Sequence, residues 1–311
     1  MKLRSNDNLN RPFLNIYKAE FILLFVTLLW GLSFPLIKIS LQFISPLFFN
    51  LIRFLISLII FYFISRKSVN ISEYRKLKYG IILGIYLFAG FTLQTIGLKY
   101  TTATKSAFIT GSTLIIIPFA QYLILKIRPK PENIAGAVIV VAGLYILSGS
   151  DISIPNTGDI LTFLCAAAFA VHVVYLNKYS EYSDLNHLVL GQFFTMVVLS
   201  FLFMFIFDNY FFEGIFMIFN RELILSLIYT SVFSTLISFF LMTKYQQLTT
   251  PLRAGIIYNM ESVFAVIFAY IILNEVLYFN QVTGIIIMFA GLFISEFYSY
   301  FKDRKPNEKK I

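Results

Sequence analysis

Charge, cysteine and histidine are all scarce in this chain. Charged residues make up 13% of its 311 positions, against about 25% in ordinary soluble domains. The single cysteine, Cys165, lies inside an apolar run, which rules out a disulfide framework and leaves the redox compartment unreadable. The two histidines, His172 and His187, have no cysteine or second histidine at ligand spacing, so no metal site is expected. Phosphate-loop, nucleophile-elbow and zinc spacings are missing. The longest hydrophilic segment is the N-terminal tail, too short for a nucleotide-binding region. An ATP-driven pump and an intramembrane enzyme are therefore not what these residues point to, and no cofactor is expected.

What is present is apolar. Hydrophobic residues account for 58% of the chain and aromatic ones for 18%, more than a soluble protein of this length could hide, so lipid must solvate the remainder. The net charge of +9 would suggest nucleic acid in a soluble protein. Here the basic residues lie mostly in tails and short connections, so the reason is topological and no nucleic-acid partner is expected. About twenty helical residues cross a hydrocarbon core of ~30 Å. Runs of that kind fall near 19–40, 46–65, 77–98, 103–127 and 133–149, and again near 158–179, 186–207, 221–244, 252–273 and 280–301. The spacing thus predicts an all-α polytopic membrane protein with ten transmembrane helices. The first run has no A-x-A cleavage pattern and reads as a retained span. The stretch 208–221 is amphipathic, and interfacial placement is expected for it.

Lysine and arginine near the span ends set the direction. With the N-terminus inside, twenty of them face the cytoplasm, among them Lys2, Arg4, Arg11, Lys67, Arg304, Lys305, Lys309 and Lys310. Only Lys38, Lys99, Lys105 and Arg221 face the other side, and Arg53 is left inside a helix. Both termini are expected in the cytoplasm, with the protein in the cell (plasma) membrane.

The chain also repeats itself. Thr101 to Leu144 lies on Thr249 to Leu292 at a constant offset of 148 without a gap, pairing Tyr122 with Tyr270, Gly136 with Gly284 and Lys105 with Arg253. Earlier helices align at an offset of 139, pairing Glu20 with Asp159, Trp30 with Phe169 and Arg53 with Gln192. Five spans per copy is an odd number, so the second copy enters the membrane upside down. The expected plan is a tail at 1–18, a first repeat at 19–149, a second at 150–301 and a tail at 302–311. Inverted repeats in a membrane chain are a common ground plan of secondary transporters, with the site where the halves meet.

Several segments resemble the drug/metabolite transporter superfamily in its EamA-type branch. Trp30-Gly31 with Lys38 is similar to the W-G-x-x-F…K opening, and Pro46 with Arg53 to S-P…R-F. SAFITGSTLIIIPFAQYLILKIRP (Ser106 to Pro129) is similar to A-F-L-T-G…V-P…L-x-R-x-R-P. Gly158 to Lys178 resembles the opening of the second domain, and Asn259 to Glu275 resembles L-E-P-V-F-A…G-E. The likeness spans the chain with order intact. It implies a ten-helix carrier, in most members an exporter of amino acids, metabolites or drugs, with a central cavity between inverted repeats. Ser262 stands where the family has Pro, which leaves a break in that helix undecided. Ile127 replaces a common acidic residue.

Glu261 is the most expensive residue, since an ionised carboxylate at mid-membrane costs ~2.5–3.5 kcal/mol on insertion scales. It is either a substrate- or proton-binding group or a carboxylate satisfied by a fixed partner. Tyr258 precedes it by one turn on the same face. Ala107, Thr110 and Gly111 form a small, polar face in the matching helix, with Gly111 expected to serve close packing. Asn259 is expected to point elsewhere. Arg53 lies in the outer third of its span, where it either snorkels to headgroups, forms a structural ion pair, or takes a substrate or charge-coupling role. Lys38 reads as an interface anchor. Trp30, away from the helix ends where tryptophan belongs, is either a cavity wall or core packing. His172 and Tyr175 share a face; His172 is either a proton shuttle or a hydrogen-bonded core imidazole. Gln94, Gln121 and Gln192 either orient substrate or join helices. Gly136, Gly143, Gly284 and Gly291 mark the packing of spans five and ten.

The expected function is secondary transport of a small metabolite, an amino acid or related amine or drug, by alternating access. The cavity is expected between spans one, three, four, six, eight and nine, with Trp30, Thr110, His172, Tyr175, Tyr258 and Glu261 at the substrate and Glu261 with Arg53 coupling charge. Two alternatives are a nucleotide-sugar or phosphorylated-metabolite carrier and a non-transporting scaffold. Expected partners are a small-molecule substrate and membrane lipids, the protein being a monomer or homodimer.

Overall fold

The computed structural model describes residues 13–66, 73–147, 156–211, 214–274, 276 and 278–303. The basic residues Lys2, Arg4, Arg11, Lys67, Arg304, Lys305, Lys309 and Lys310, most of both tails, and Glu275 lie outside them. The described residues form α1 (Phe13–Ser40), α2 (Pro46–Ser65), α3 (Tyr74–Tyr100), α4 (Ala103–Thr110), α5 (Thr113–Leu125), α6 (Pro131–Leu147) and α7 (Thr157–Tyr179). They continue with α8 (Leu185–Phe211), α9 (Arg221–Tyr229), a π-helical segment (Thr230–Ile237), α10 (Ser238–Gln246), α11 (Pro251–Tyr258), α12 (Met260–Leu273) and α13 (Phe279–Asp303). Joining α4 with α5, α9 with α10 and α11 with α12 gives ten spans. Eight are long and apolar enough to cross a membrane, and the apolar stretches of α6 and α13 are shorter.

The two copies are related in detail by their backbone chemistry. Thr102 caps α4 by accepting from the Lys105 amide, and Thr250 caps α11 by accepting from the Arg253 amide. Both second halves end on a left-handed residue, Lys126 (φ 59°) and Asn274 (φ 52°), which closes a helix C-terminus. Spans four and nine are each broken near their middle, at Gly111–Ser112 and at Asn259. The breaks bond alike: Gly111 N donates to Ala107 O and Leu114 N to Gly111 O, while Asn259 N donates to Gly255 O and Ser262 N to Asn259 O, each at 3.1 Å. No proline is needed at Ser262 to interrupt the helix.

Close backbone approach fixes the packing. A Cβ on Gly143 would come within 2.8 Å of Gly284 O, and one on Gly291 within 2.8 Å of Gly136 O. Hence α6 and α13 cross with each glycine of one set against its partner in the other. Gly80 against Gly191 brings α3 onto α8, and Gly97 against Gly158 brings α3 onto α7.

The 208–221 stretch is not an interfacial helix. Up to Phe211 it continues α8, and from Gly214 it runs extended across the α1–α2 turn. There Ser45 N donates to Phe216 O (3.1 Å) and Ile218 N to Phe43 O (2.7 Å). The buried Asp208 carboxylate accepts from the Leu47 and Phe48 amides at the start of α2. An anion at a helix N-terminus together with these two backbone bonds fixes the segment on the α1–α2 turn.

Candidate functional site

A cavity of about 80 Å³ lies at mid-depth, where both broken spans bend. By volume it holds only a handful of waters, so this conformation is drawn in around it. Residues from spans one, three, four, six, eight and nine line it, and span two adds Arg53. The membership of span two corrects the sequence reading.

Arg53 does not snorkel. Only 1% exposed, it turns inward: Nε donates to Thr235 Oγ1 (2.6 Å) and Nη2 to Ser234 Oγ (3.0 Å). Its guanidinium lies 4.7 Å from the Phe91 ring centre, a cation–π contact. The hydroxyls that hold it belong to the π-helical segment, which has no counterpart in the regular α3. Nη1 has no partner. Arg is the side chain whose planar fork can be fixed by one edge and still offer the other.

Glu261, in the first turn of α12, faces the same cavity. Among the described residues no donor reaches its carboxylate, and Arg53 is near enough for the two charges to interact without forming an ion pair. Asn259 lies at the break and also lines the cavity, contrary to the sequence reading; its Nδ2 donates to Gly255 O, while Oδ1 is buried with no hydrogen-bond partner among the described residues. Gly111, its counterpart, packs tightly, since a Cβ there would sit 2.7 Å from Asn259 Oδ1. A buried cation, a carboxylate and an amide oxygen thus converge on one small space, each with unused capacity. Such groups are rarely left so in a protein interior.

Aromatic walls complete the site. Trp30 Nε1 donates to Ser234 O (3.0 Å), and its ring meets Tyr258 edge-on at 5.4 Å and Phe239 at 5.7 Å. Tyr258 OH donates to Gln246 Oε1 (3.0 Å). His172 lines the cavity and pairs through Nε2 with Gln192 Oε1 (2.8 Å), so that ring nitrogen carries the proton. Thr110 donates to Ser106 O and accepts from Gln94. Ser262 donates across to Ala107 O (2.8 Å), tying one broken span to the other.

Tyr175 is not among the lining residues. It stacks on Tyr86 (5.4 Å) and Tyr179 (5.2 Å), filling the space between α3 and α7. Sharing a face with His172 does not bring it to the cavity: α7 lines it through Phe169, His172 and Val173, and Tyr175 is taken up by its stack with Tyr86 of α3. Lys38 is no headgroup anchor: its Nζ donates to Leu98 O, Lys99 O and Thr101 O at the end of α3. Gln121 joins helices, accepting from the Leu252 amide. The sequence gives no hint that Glu73, Asp184 and His187 converge; Lys76 is the cation among them, paired with Glu73 and Asp184.

Ten apolar spans in two inverted copies around a mid-membrane polar cavity define a membrane transporter. The description "EamA-like transporter family" matches residues 17–149 and 156–297, and the chain belongs to that family. A relative from Archaeoglobus fulgidus named "Uncharacterized transporter" is 33% identical over 89% of this chain and 85% of its own length. A Salmonella typhimurium protein named "Probable amino-acid metabolite efflux pump" is 22% identical over 90% of this chain and 95% of its own. One solved structure superimposes with a TM-score of 0.74 at 15% identity, covering 92% of this chain and 99% of that one.

Proposed function

We propose that the protein exports a small zwitterion or amine, an amino acid or a close relative, by alternating access. The observation that carries this reading is the pairing of an open guanidinium edge on Arg53 with a Glu261 carboxylate that no donor among the described residues reaches, in one cavity. A carboxylate group on the substrate completes Arg53 through Nη1, and its ammonium takes Glu261, with Asn259 Oδ1 as a further acceptor. Trp30, Tyr258 and Phe239 enclose the apolar remainder. His172 and Thr110 shape the opposite wall. With substrate absent, Glu261 takes a proton, so one carboxyl group alternates between two cationic loads. Both termini lie in the cytoplasm on this reading, and the membrane potential acts on whatever net charge moves, at ~2.3 kcal/mol per charge per 100 mV.

A nucleotide-sugar or phosphorylated substrate fits less well. Arg53 is the one lysine or arginine in the lining, Lys38 is committed to three carbonyls and Lys105 to Asp159, and Glu261 would repel a phosphate. The test is equilibrium counterflow in proteoliposomes with a panel of labelled amino acids, amines and sugar phosphates. Exchange is expected for at least one amino acid or amine, and Glu261→Gln should abolish it or flatten its pH dependence. Exchange confined to sugar phosphates, or a Glu261→Gln protein that behaves as wild type at every pH, would overturn the reading.

A further inference from the structure

The repeat relationship extends to the turns that close the two ends of the bundle. The α3–α4 turn, residues 101–105, is held by both α1 and α7. The end of α1 supplies Lys38, whose Nζ lies 2.7 Å from Thr101 O. The start of α7 supplies Asp159, which pairs with Lys105 Nζ (2.7 Å) and accepts from Thr101 Oγ1 (3.0 Å). At the other end the α10–α11 turn, residues 249–253, is held by the same two helices with their roles exchanged. The end of α7 supplies Asn177, which donates to Thr249 O (2.8 Å). The start of α1 supplies Glu20, which pairs with Arg253 Nη2 (2.6 Å).

Each contact is the image of another. Lys38 and Asn177 differ by 139 in the sequence, as do Glu20 and Asp159, while Thr101 and Thr249 differ by 148, as do Lys105 and Arg253. These are partly buried pairs, unlike the exposed surface pairs that contribute little. The carboxylates are buried, Asp159 6% and Glu20 9% exposed, while their partners Lys105 and Arg253 are 31% and 16% exposed. In each case the turn begins a half-helix, α4 or α11, that ends at the cavity. Moving a turn therefore moves a cavity wall.

We propose that these two turns are the gates of the transporter, each latched by one contact from α1 and one from α7, and that the latches release alternately. This rests on the alternating-access reading above. In the present conformation both latches are closed, which agrees with the small cavity. They are not of equal strength. One end has an ammonium on three carbonyls of the α3 C-terminus, where the helix dipole favours a cation. Its counterpart has a neutral amide on one carbonyl, and a further hold on that turn is also uncharged, the Leu252 amide donating to Gln121. The gate at 249–253, on the side where α1 begins, is therefore the weaker, and the resting protein opens more readily to that side.

The test needs no substrate, so its outcome is separable from that of the counterflow panel. Ser33, which lines the cavity, is replaced by cysteine after Cys165→Ala, and a membrane-impermeant thiol reagent is applied from either side of reconstituted vesicles. Labelling is expected to be faster from the side where α1 begins. Glu20→Gln and Arg253→Gln should each raise it from that side by roughly fivefold or more, the factor that corresponds to losing a contact of this size. Asp159→Asn and Lys105→Gln should raise labelling from the opposite side. Lys38→Asn should equalise the two sides. The exchanged pair Glu20→Arg with Arg253→Glu should restore the wild-type rate, which separates latching from misfolding. Variants at both ends acting on the same side, variants that leave both rates unchanged, or an exchanged pair that fails to restore the rate in a folded protein would overturn the proposal. Side-specific labelling without exchange of any solute would count against the export reading alone.

Discussion

Arg53 and Glu261 are held in contrasting ways: no donor among the described residues reaches the Glu261 carboxylate, whereas Arg53 is tied down on one edge. Arg53 is fixed by two hydroxyls and an aromatic face, so its orientation is set before any ligand arrives. Lysine cannot reproduce the fork. Arg53→Lys should lower the melting temperature, since the two bonds to Ser234 and Thr235 cannot both be kept, and should weaken binding by about tenfold or more, given ~1.5–3 kcal/mol for a hydrogen bond to a charged group. Isothermal titration beside a thermal melt checks both halves, and a ligand affinity that does not change would contradict the role. Glu261 was visible in the sequence because a carboxylate in a long apolar run is costly wherever it points. Arg53 was not so readable, because depth along a helix does not say which face a long side chain takes. Asn259 and Tyr175 mislead for related reasons. A helix break at Asn259 turns its side chain away from the regular 100° progression, and an aromatic stack with Tyr86 and Tyr179 holds Tyr175 off the cavity.

At the level of elements, the breaks in spans four and nine depend on hydrogen bonding more than on residue type. The Ser262 amide bonds only three residues back, to Asn259 O, and it lies in the first turn of α12, where proline is tolerated. Ser262→Pro should therefore fold, losing that bond and the one to Ala107 O, at about 0.5–1.5 kcal/mol each; a melt in detergent reads the sum, and failure to fold would show the break to be more tightly specified. The packing of α6 on α13 is less forgiving. A methyl on Gly143 meets Gly284 O and the Met288 backbone at 2.8 Å. Gly143→Ala should cost ~1–3 kcal/mol and lower the melting temperature, whereas an unchanged melt would mean that the pair is not in contact. This glycine seam was legible because its seven-residue spacing recurs in both copies. The extended segment after Gly214 was not, since a single cross-chain bridge leaves no periodic signal.

At the scale of the whole molecule, an even number of spans puts the start of α1 and the end of α13 on one side. Reporter fusions at the two termini should read out the same side, the cytoplasmic one on the charge bias; opposite sides would break the inverted-repeat plan. That plan was the most legible feature of all, because a fixed offset aligns caps, breaks and turns at once. The asymmetries carry the chemistry. Arg53 faces Gln192 in the repeat and Glu261 faces Thr113, so one two-fold wall bears two charges with no image. Sequence comparison of the halves finds those departures, but only the fold shows that they open into the same space.

The protein has one tryptophan, and it stands in the wall of the cavity beside Tyr258. Titration of the purified protein with amino acids and amines, followed by Trp30 emission, therefore reports directly on whether that cavity takes a ligand. A saturable change for a zwitterion or amine, lost in both Arg53→Gln and Glu261→Gln, is the expected result. Emission that stays flat across the panel, or a response that survives both substitutions, would contradict a substrate site built on these two charges.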